Sequence, residues 1–81
     1  MRIISQDKKR DVPYDSVMVY VSDVLPKQIW VNFVQYKETY VMGKYNSEED
    51  ALYVMKSIRQ AVNNEYRYYV MPSAEKVEGC K

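Results

Sequence analysis

One segment of this chain has the periodicity of an amphipathic helix, and a single helix limits how much of a β-sheet can be covered. At roughly 100° per residue, six apolar residues between positions 51 and 62 fall in one stripe about 120° wide. The six are Ala51, Val54, Met55, Ile58, Ala61 and Val62. Ser47 precedes the segment and can cap its free amides, and the acidic residues 48–50 complement the helix dipole. The pattern predicts a helix over residues 48–62.

β-branched and aromatic residues indicate strands before and after this helix. Segments 16–22, 28–36 and 39–45 follow one another with short connections, which is typical of an antiparallel meander. Segments 2–6 and 66–71 read as further short strands, and residues 12–15 read as an edge segment or tight turn because Pro13 cannot donate to a ladder. We therefore expect an α+β fold, in which a small antiparallel sheet carries the helix on one face.

The length of the chain is that of one domain. Residues 1–72 of the 81 are predicted to form a single α+β domain. Residues 73–81, SAEKVEGCK, are mostly polar and are expected to be a frayed C-terminal tail. The lone Cys80 lies in that tail, where the fold does not depend on it and an exposed thiol could cross-link two chains.

Composition removes several classes of chemistry. The chain has no histidine, one cysteine and two glycines, which excludes a His/Cys zinc site, a histidine-based triad, an intramolecular disulfide and a Gly-rich phosphate loop. The acidic residues 48–50 are explained by their place at a helix start rather than by metal binding. We expect no enzymatic activity, no cofactor and no metal.

Charge and hydropathy limit the partners. Twelve Lys and Arg against 11 Asp and Glu give a net charge of +1, which is lower than that of a typical domain that binds a phosphate backbone. The basic run at residues 8–10 is flanked by Asp7 and Asp11, as in a solvated turn. The longest uncharged run, residues 28–36, is far shorter than the roughly 20 residues of a membrane helix. The chain has a single cysteine, whereas a secreted domain this small usually carries paired cysteines, so a cytoplasmic setting is favoured.

The second face of the predicted sheet is the candidate site. Alternation places Ile29, Val31 and the valines of residues 17–21 under the helix, and places aromatic and Met side chains on the opposite face. The predicted partner-binding residues are Met18, Tyr20, Trp30, Val34 and Tyr40, with Met42 beside them if the third strand keeps the same phase. Two alternatives remain open: the face closes a homodimer, or the sheet curls and buries both faces. On the helix, Tyr53 lies outside the apolar stripe, as a surface residue or as part of a second contact patch.

Three stretches resemble a known group of proteins. MRIISQD followed by DVPY, the segment KYNSEEDALYVMKSIRQA, and YYVMP are similar to small uncharacterised proteins encoded by phages and prophages of Gram-positive bacteria. The chain departs from that group at Lys8, where the group has Gly, and in residues 18–40. The resemblance supplies no catalytic or ligand residues.

The resemblance does bear on function. It implies a non-enzymatic binding protein that inhibits a host protein, as counter-defence proteins such as anti-CRISPR proteins do, with a defence nuclease complex as the expected target. The alternatives are a nucleic-acid or nucleotide binder that uses the aromatic sheet face, and a structural homodimer.

Overall fold

The computed structural model describes residues 1–79, which form two three-stranded sheets and two helices. The strands are β1 (Arg2–Ile4), β2 (Asp11–Pro13), β3 (Val17–Val21), β4 (Gln28–Phe33), β5 (Glu38–Lys44) and β6 (Tyr68–Val70). The helices are α1 (Glu48–Asn63) and α2 (Ala74–Gly79), and a short 3-10 turn, Tyr14–Ser16, joins β2 to β3. The predicted α+β class is confirmed. Within residues 1–79, neither helix is long and apolar enough to cross a membrane.

Strands β3, β4 and β5 form the predicted antiparallel meander. Every residue of β3 is paired with β4, in a register that aligns Val19 with Val31. Every residue of β4 is paired with β5, and a bulge interrupts the ladder between Ile29 and Trp30. The chain reverses between β4 and β5 at Lys37, whose φ of 55° lies in the left-handed region.

The remaining strands form a second sheet with the strand order β2-β1-β6, whereas the sequence predicted a single sheet. β1 and β2 are an antiparallel pair joined by the charged turn of residues 7–11. β6 pairs with β1 in parallel and aligns Tyr69 with Ile3, although 66 positions separate the two residues in the chain. Strand segments are visible in local sequence, but such distant pairing is decided by the shared core.

Helix α1 begins and ends as its sequence predicts. The Ser47 hydroxyl accepts a hydrogen bond from the Asp50 amide at 3.1 Å, which satisfies one free donor of the first turn. The buried residues of α1 are Asp50, Ala51, Val54, Ile58 and Ala61, and Met55 and Val62 are half-buried at the border of the stripe. After the C-cap residue Asn64, Glu65 takes a left-handed φ of 58°, and the chain leaves the helix.

Both sheets and α1 share one hydrophobic core. Ile3 of β1, Ile29 and Val31 of β4 and Ile58 of α1 are almost completely buried in a single cluster. Burial of each such side chain stabilises the fold by about 1.5–3 kcal/mol. The inner face of the meander, including Val19, packs against this cluster, so the prediction that the valine-rich face lies under the helix is confirmed.

Gln6 connects the two sheets through its backbone and its side chain. Its amide donates to the Met42 carbonyl at 2.8 Å. Its side-chain Oε1 accepts from the Lys44 amide at 2.9 Å, and its Nε2 donates to the carbonyls of Lys44 and Pro72, both at 3.1 Å. One side chain thus ties the end of β1 to the edge of β5 and to the segment after β6.

The adjoining residues Ser5 and Asp7 hold the charged turn. The Ser5 hydroxyl donates to Asp7 Oδ1 at 2.6 Å and accepts from the Arg10 amide at 3.0 Å, while Asp7 Oδ1 also accepts from the Lys9 amide at 2.9 Å. These hydrogen bonds lower the pKa of the Asp7 carboxyl, and the bond from Ser5 has the largest effect. In this chain the Ser-Gln-Asp motif therefore has a structural role.

The segment expected to be a frayed tail is ordered as α2, so that prediction is wrong for residues 74–79. The Ser73 hydroxyl accepts from the Lys76 amide at 3.2 Å and caps the helix. Val77 is 1% exposed and belongs to the core, and Asn46 donates to Glu78 at 2.6 Å. A six-residue helix with one buried apolar residue has no periodicity that local sequence could reveal. Cys80 lies outside the described residues.

Candidate functional site

The outward side of the meander carries the largest group of predicted site residues. We call the set Met18, Tyr20, Trp30, Asn32 and Val41 the outer face. Tyr20 is aligned with Trp30 and Met18 with Asn32 across β3 and β4, and Trp30 is aligned with Val41 across β4 and β5. Met18 is 52% exposed and Val41 37% exposed, while Tyr20 and Trp30 are half-buried. The side chains are neighbours on three adjacent strands.

The two aromatic rings of the outer face are held by their neighbours. The rings of Tyr20 and Trp30 are 6.4 Å apart between centroids and inclined at 60°, a favourable aromatic pair. The Trp30 Nε1 donates to the side-chain oxygen of Gln28 at 2.8 Å. Because the rings are already positioned, the Tyr20 and Trp30 side chains lose little conformational entropy when a partner binds.

A polar atom without a partner lies between these apolar groups. The Oδ1 atom of Asn32 is shielded from solvent and accepts no hydrogen bond within residues 1–79. Leaving such an acceptor unpaired costs about 1–3 kcal/mol. The amide is aligned with the exposed Met18, so it lies in the middle of the outer face.

Tyr40 does not belong to the outer face, and the predicted placement is wrong. Four residues separate Phe33 from its partner Glu38, so from Trp30 to Phe33 the odd-numbered residues of β4 share a face with even-numbered residues of β5. Tyr40 is therefore aligned with Val31 on the inner side, and Val41 points outward in its place. Met42, also expected on the outer face, is 1% exposed in the core.

Val34 is also outside the paired strands. It follows the last residue of β4 and is 71% exposed in the connection to β5. Of the five predicted partner-binding residues, the structure brings together Met18, Tyr20 and Trp30. The residue that sequence reasoning missed is Val41, whose direction depends on the length of the β4–β5 connection.

Tyr40 instead forms part of a groove between two turns. We call this the turn groove; it is open, about 650 Å³ in volume, and lies between the β1–β2 turn and the end of the β4–β5 hairpin. Three aromatic rings line it. Phe33 packs edge-on against Tyr40 with centroids 6.0 Å apart, and lies 6.5 Å from Tyr36. The Tyr36 side chain is 67% exposed.

Charged side chains complete the turn groove. The Arg10 guanidinium lies over the Tyr40 ring at 4.5 Å from its centroid, within cation–π range. The Tyr40 hydroxyl donates to Glu38 at 2.5 Å, and this hydrogen bond to Glu38 raises the pKa of the Tyr40 phenol. Lys9 also lines the groove.

Tyr53 of α1 lines a separate, small depression. It measures about 210 Å³ and is lined by side chains that include Tyr69 and Pro72. Tyr53 itself is 42% exposed. Burial raises the pKa of the neighbouring Tyr69 phenol. The depression is small, and its lining offers no charged group besides Lys76.

Within residues 1–79, no three His, Cys, Asp or Glu side chains are grouped so that they could hold a metal ion. The acidic residues at positions 48–50 occupy the first turn of α1. The comparisons with known proteins return no match: no family model, no curated protein and no solved structure matches the chain.

Proposed function

We propose that the protein is a non-enzymatic binding protein that inhibits a host protein by covering it with the outer face. The observation that carries the proposal is an accessible group of aromatic, Met and Val side chains on three adjacent strands, opposite the side packed on the core. Contiguous exposed apolar groups mark interaction surfaces, and Trp and Tyr are frequent energetic anchors in them.

The chemistry of the outer face suits a protein partner. Trp30 and Tyr20 are rigid anchors, Met18 adds an adaptable apolar contact, and Asn32 supplies a polar group whose hydrogen bond a partner can complete once the amide rotates. An apolar centre with few oriented polar groups is the usual composition of a protein–protein interface core.

The kind of partner is proposed from the resemblance to phage-encoded proteins. Small phage proteins without enzymatic residues often act by binding and blocking a host protein. We therefore place the action of this protein in the cytoplasm of the bacterial host, against a defence nuclease complex.

The test begins with an affinity-tagged chain and a lysate of a Gram-positive host, treated or not treated with nuclease. Retained proteins are identified by mass spectrometry, purified, and titrated with wild-type chain and two variants. Trp30→Ala removes the central anchor of the outer face. Tyr66→Ala removes a tyrosine that is 57% exposed elsewhere on the surface, and serves as the matched control.

The proposal expects a nuclease-resistant partner whose affinity falls by about tenfold or more in Trp30→Ala, in keeping with the roughly 2 kcal/mol lost at interface anchors, and is unchanged in Tyr66→Ala. Both variants should still melt cooperatively, because Trp30 lies outside the core cluster. Recovery of nucleic acid alone would contradict the proposal, as would a homodimer that Trp30→Ala dissociates and no other partner.

A further inference from the structure

Two cations of the turn groove have no ion-pair partner within residues 1–79. These are Lys9 and Arg10, whereas Asp11 on the same turn is held by Arg2 at 2.5 Å. The remaining carboxylate, Glu38, accepts the hydrogen bond from the Tyr40 hydroxyl. The groove is thus lined by two cations and two carboxylates, and the nearby Asp7 accepts hydrogen bonds from Ser5 and Lys9. Because each of these carboxylates already has an ion-pair or hydrogen-bond partner, Lys9 and Arg10 are the charged groups left to bind an anion.

The groove also presents an aromatic surface beside that charge. Arg10 covers the Tyr40 ring, and Phe33 packs against both tyrosines, so the largest ring area open to solvent belongs to Tyr36. A flat aromatic group can stack on Tyr36 while its anionic group reaches Lys9 or Arg10. The volume of about 650 Å³ is within the usual range of small-molecule sites, about 300–1,000 Å³.

We propose that the turn groove binds a nucleoside phosphate, with the base stacked on Tyr36 and the phosphate bound by Lys9 and Arg10. Stacking of a base on an exposed aromatic side chain, next to cations that bind the phosphate, is the general physical basis of single-stranded nucleic-acid recognition. The site is distinct from the outer face, because the Phe33 and Tyr40 side chains extend from the opposite side of the meander. The inference does not rest on the proposed function.

The experiment is a titration of ¹⁵N-labelled chain at low salt, followed by NMR. The probes are adenosine monophosphate, adenosine, an eight-nucleotide deoxyadenylate strand, and an acidic tyrosine-containing peptide. Binding of the monophosphate should shift the amides of residues 9–11 and 36–40. Adenosine should bind about tenfold more weakly because it lacks the phosphate, and added salt should weaken the monophosphate complex.

Two groove variants with opposite expected effects make the test specific. Arg10→Gln should weaken monophosphate binding about threefold or more, whereas Glu38→Gln should strengthen it, because it removes a repulsive charge and keeps an acceptor for Tyr40. Tyr36→Ala should weaken it about fivefold or more through lost stacking. Lys56→Gln and Tyr66→Ala alter an exposed cation and an exposed tyrosine outside the groove, and should change nothing.

The strand and the free nucleotide identify the source of the ligand. Equal affinity for the two indicates a mononucleotide, and an affinity more than tenfold higher for the strand indicates single-stranded nucleic acid; both support the proposal. It is overturned if neither nucleotide probe shifts the groove amides, if the peptide alone shifts them, or if Arg10→Gln and Glu38→Gln bind the monophosphate as the wild type does.

Discussion

Replacement of Glu65 by glycine should stabilise the fold, because this residue has a backbone conformation that glycine adopts more readily. Glu65 follows the C-cap of α1 with a φ of 58°. Its amide donates to the Val62 carbonyl at 3.0 Å, and the Tyr66 amide donates to the Ala61 carbonyl at 3.1 Å. This pair of hydrogen bonds is the Schellman motif, whose left-handed position is usually glycine.

The magnitude follows from three contributions, two favourable and one unfavourable. An L-residue in the left-handed region costs about 1–2 kcal/mol relative to the right-handed one. Glycine regains this but loses about 0.4–1 kcal/mol through the greater freedom of the unfolded chain. Removal of a negative charge next to a helix C-terminus adds about 0.3 kcal/mol. We expect Glu65→Gly to raise the free energy of unfolding by about 1 kcal/mol.

The assay is thermal and urea unfolding followed by circular dichroism. A gain of about 1 kcal/mol should raise the Tm of a domain of this size by about 4–8 °C. Glu65→Gln removes the charge but keeps the Cβ atom, so it should recover only the smaller electrostatic part. Lys56→Gly, at an exposed position inside α1, should lower the free energy of unfolding by about 0.5–1 kcal/mol.

Two results would refute the reasoning. A Tm of Glu65→Gly at or below the wild-type value would show that the left-handed conformation stores no recoverable strain. A gain in Glu65→Gln equal to that of Glu65→Gly would show that charge, and not backbone conformation, is the cause.

Three further changes test the core and the charged turn. Gly43→Ala should destabilise the fold by about 1–3 kcal/mol, measured by urea unfolding, because a Cβ atom there would lie 2.8 Å from the hydroxyl of the buried Tyr45; an unchanged midpoint would contradict this. Ile58→Asp should abolish the cooperative melt, since it places an unpaired charge in the core, and a native-like melt would show that α1 packs differently. The lowered pKa of Asp7 means that its stabilising effect is present above the unfolded pKa, about 3.9, and is lost as the pH falls through the lower folded value. Asp7→Asn should therefore be less stable than wild type at pH 6, and the difference should shrink as the pH is lowered below about 4. A difference that does not change with pH would point to another cause.

Local sequence was sufficient to predict the elements that local interactions define. The limits of α1 follow from the Ser47 cap and the apolar stripe, and the structure extends the predicted end by one residue, to Asn63. The three meander strands follow from β-branched and aromatic runs separated by turn residues. Each of these signals acts within a few residues of chain, and tertiary packing here agrees with it.

The composition of the outer face was predictable only in part. Met18, Tyr20 and Trp30 share a side because alternation within β3 and β4 is a local property, and the ladder between the two strands keeps it. Tyr40 lies on the inner side and Val41 on the outer face, the reverse of the prediction. The reason is that the phase of β5 depends on which residues of the hairpin pair across the connection. A shift by one residue reverses every side chain of a strand, and alternation alone cannot detect it.

Other features depend on contacts between residues far apart in the chain. The parallel pairing of β6 with β1, the burial of Val77 in α2, and the approach of Arg10 to Tyr40 each join segments that the sequence separates by many residues. The free energy of such contacts comes from shared burial and from the geometry of the closed core, and no short window of sequence contains it. For this reason the sequence by itself determined α1, the strand segments and the shared side of Met18, Tyr20 and Trp30, while α2, the two-sheet arrangement and the turn groove were decided by the tertiary structure.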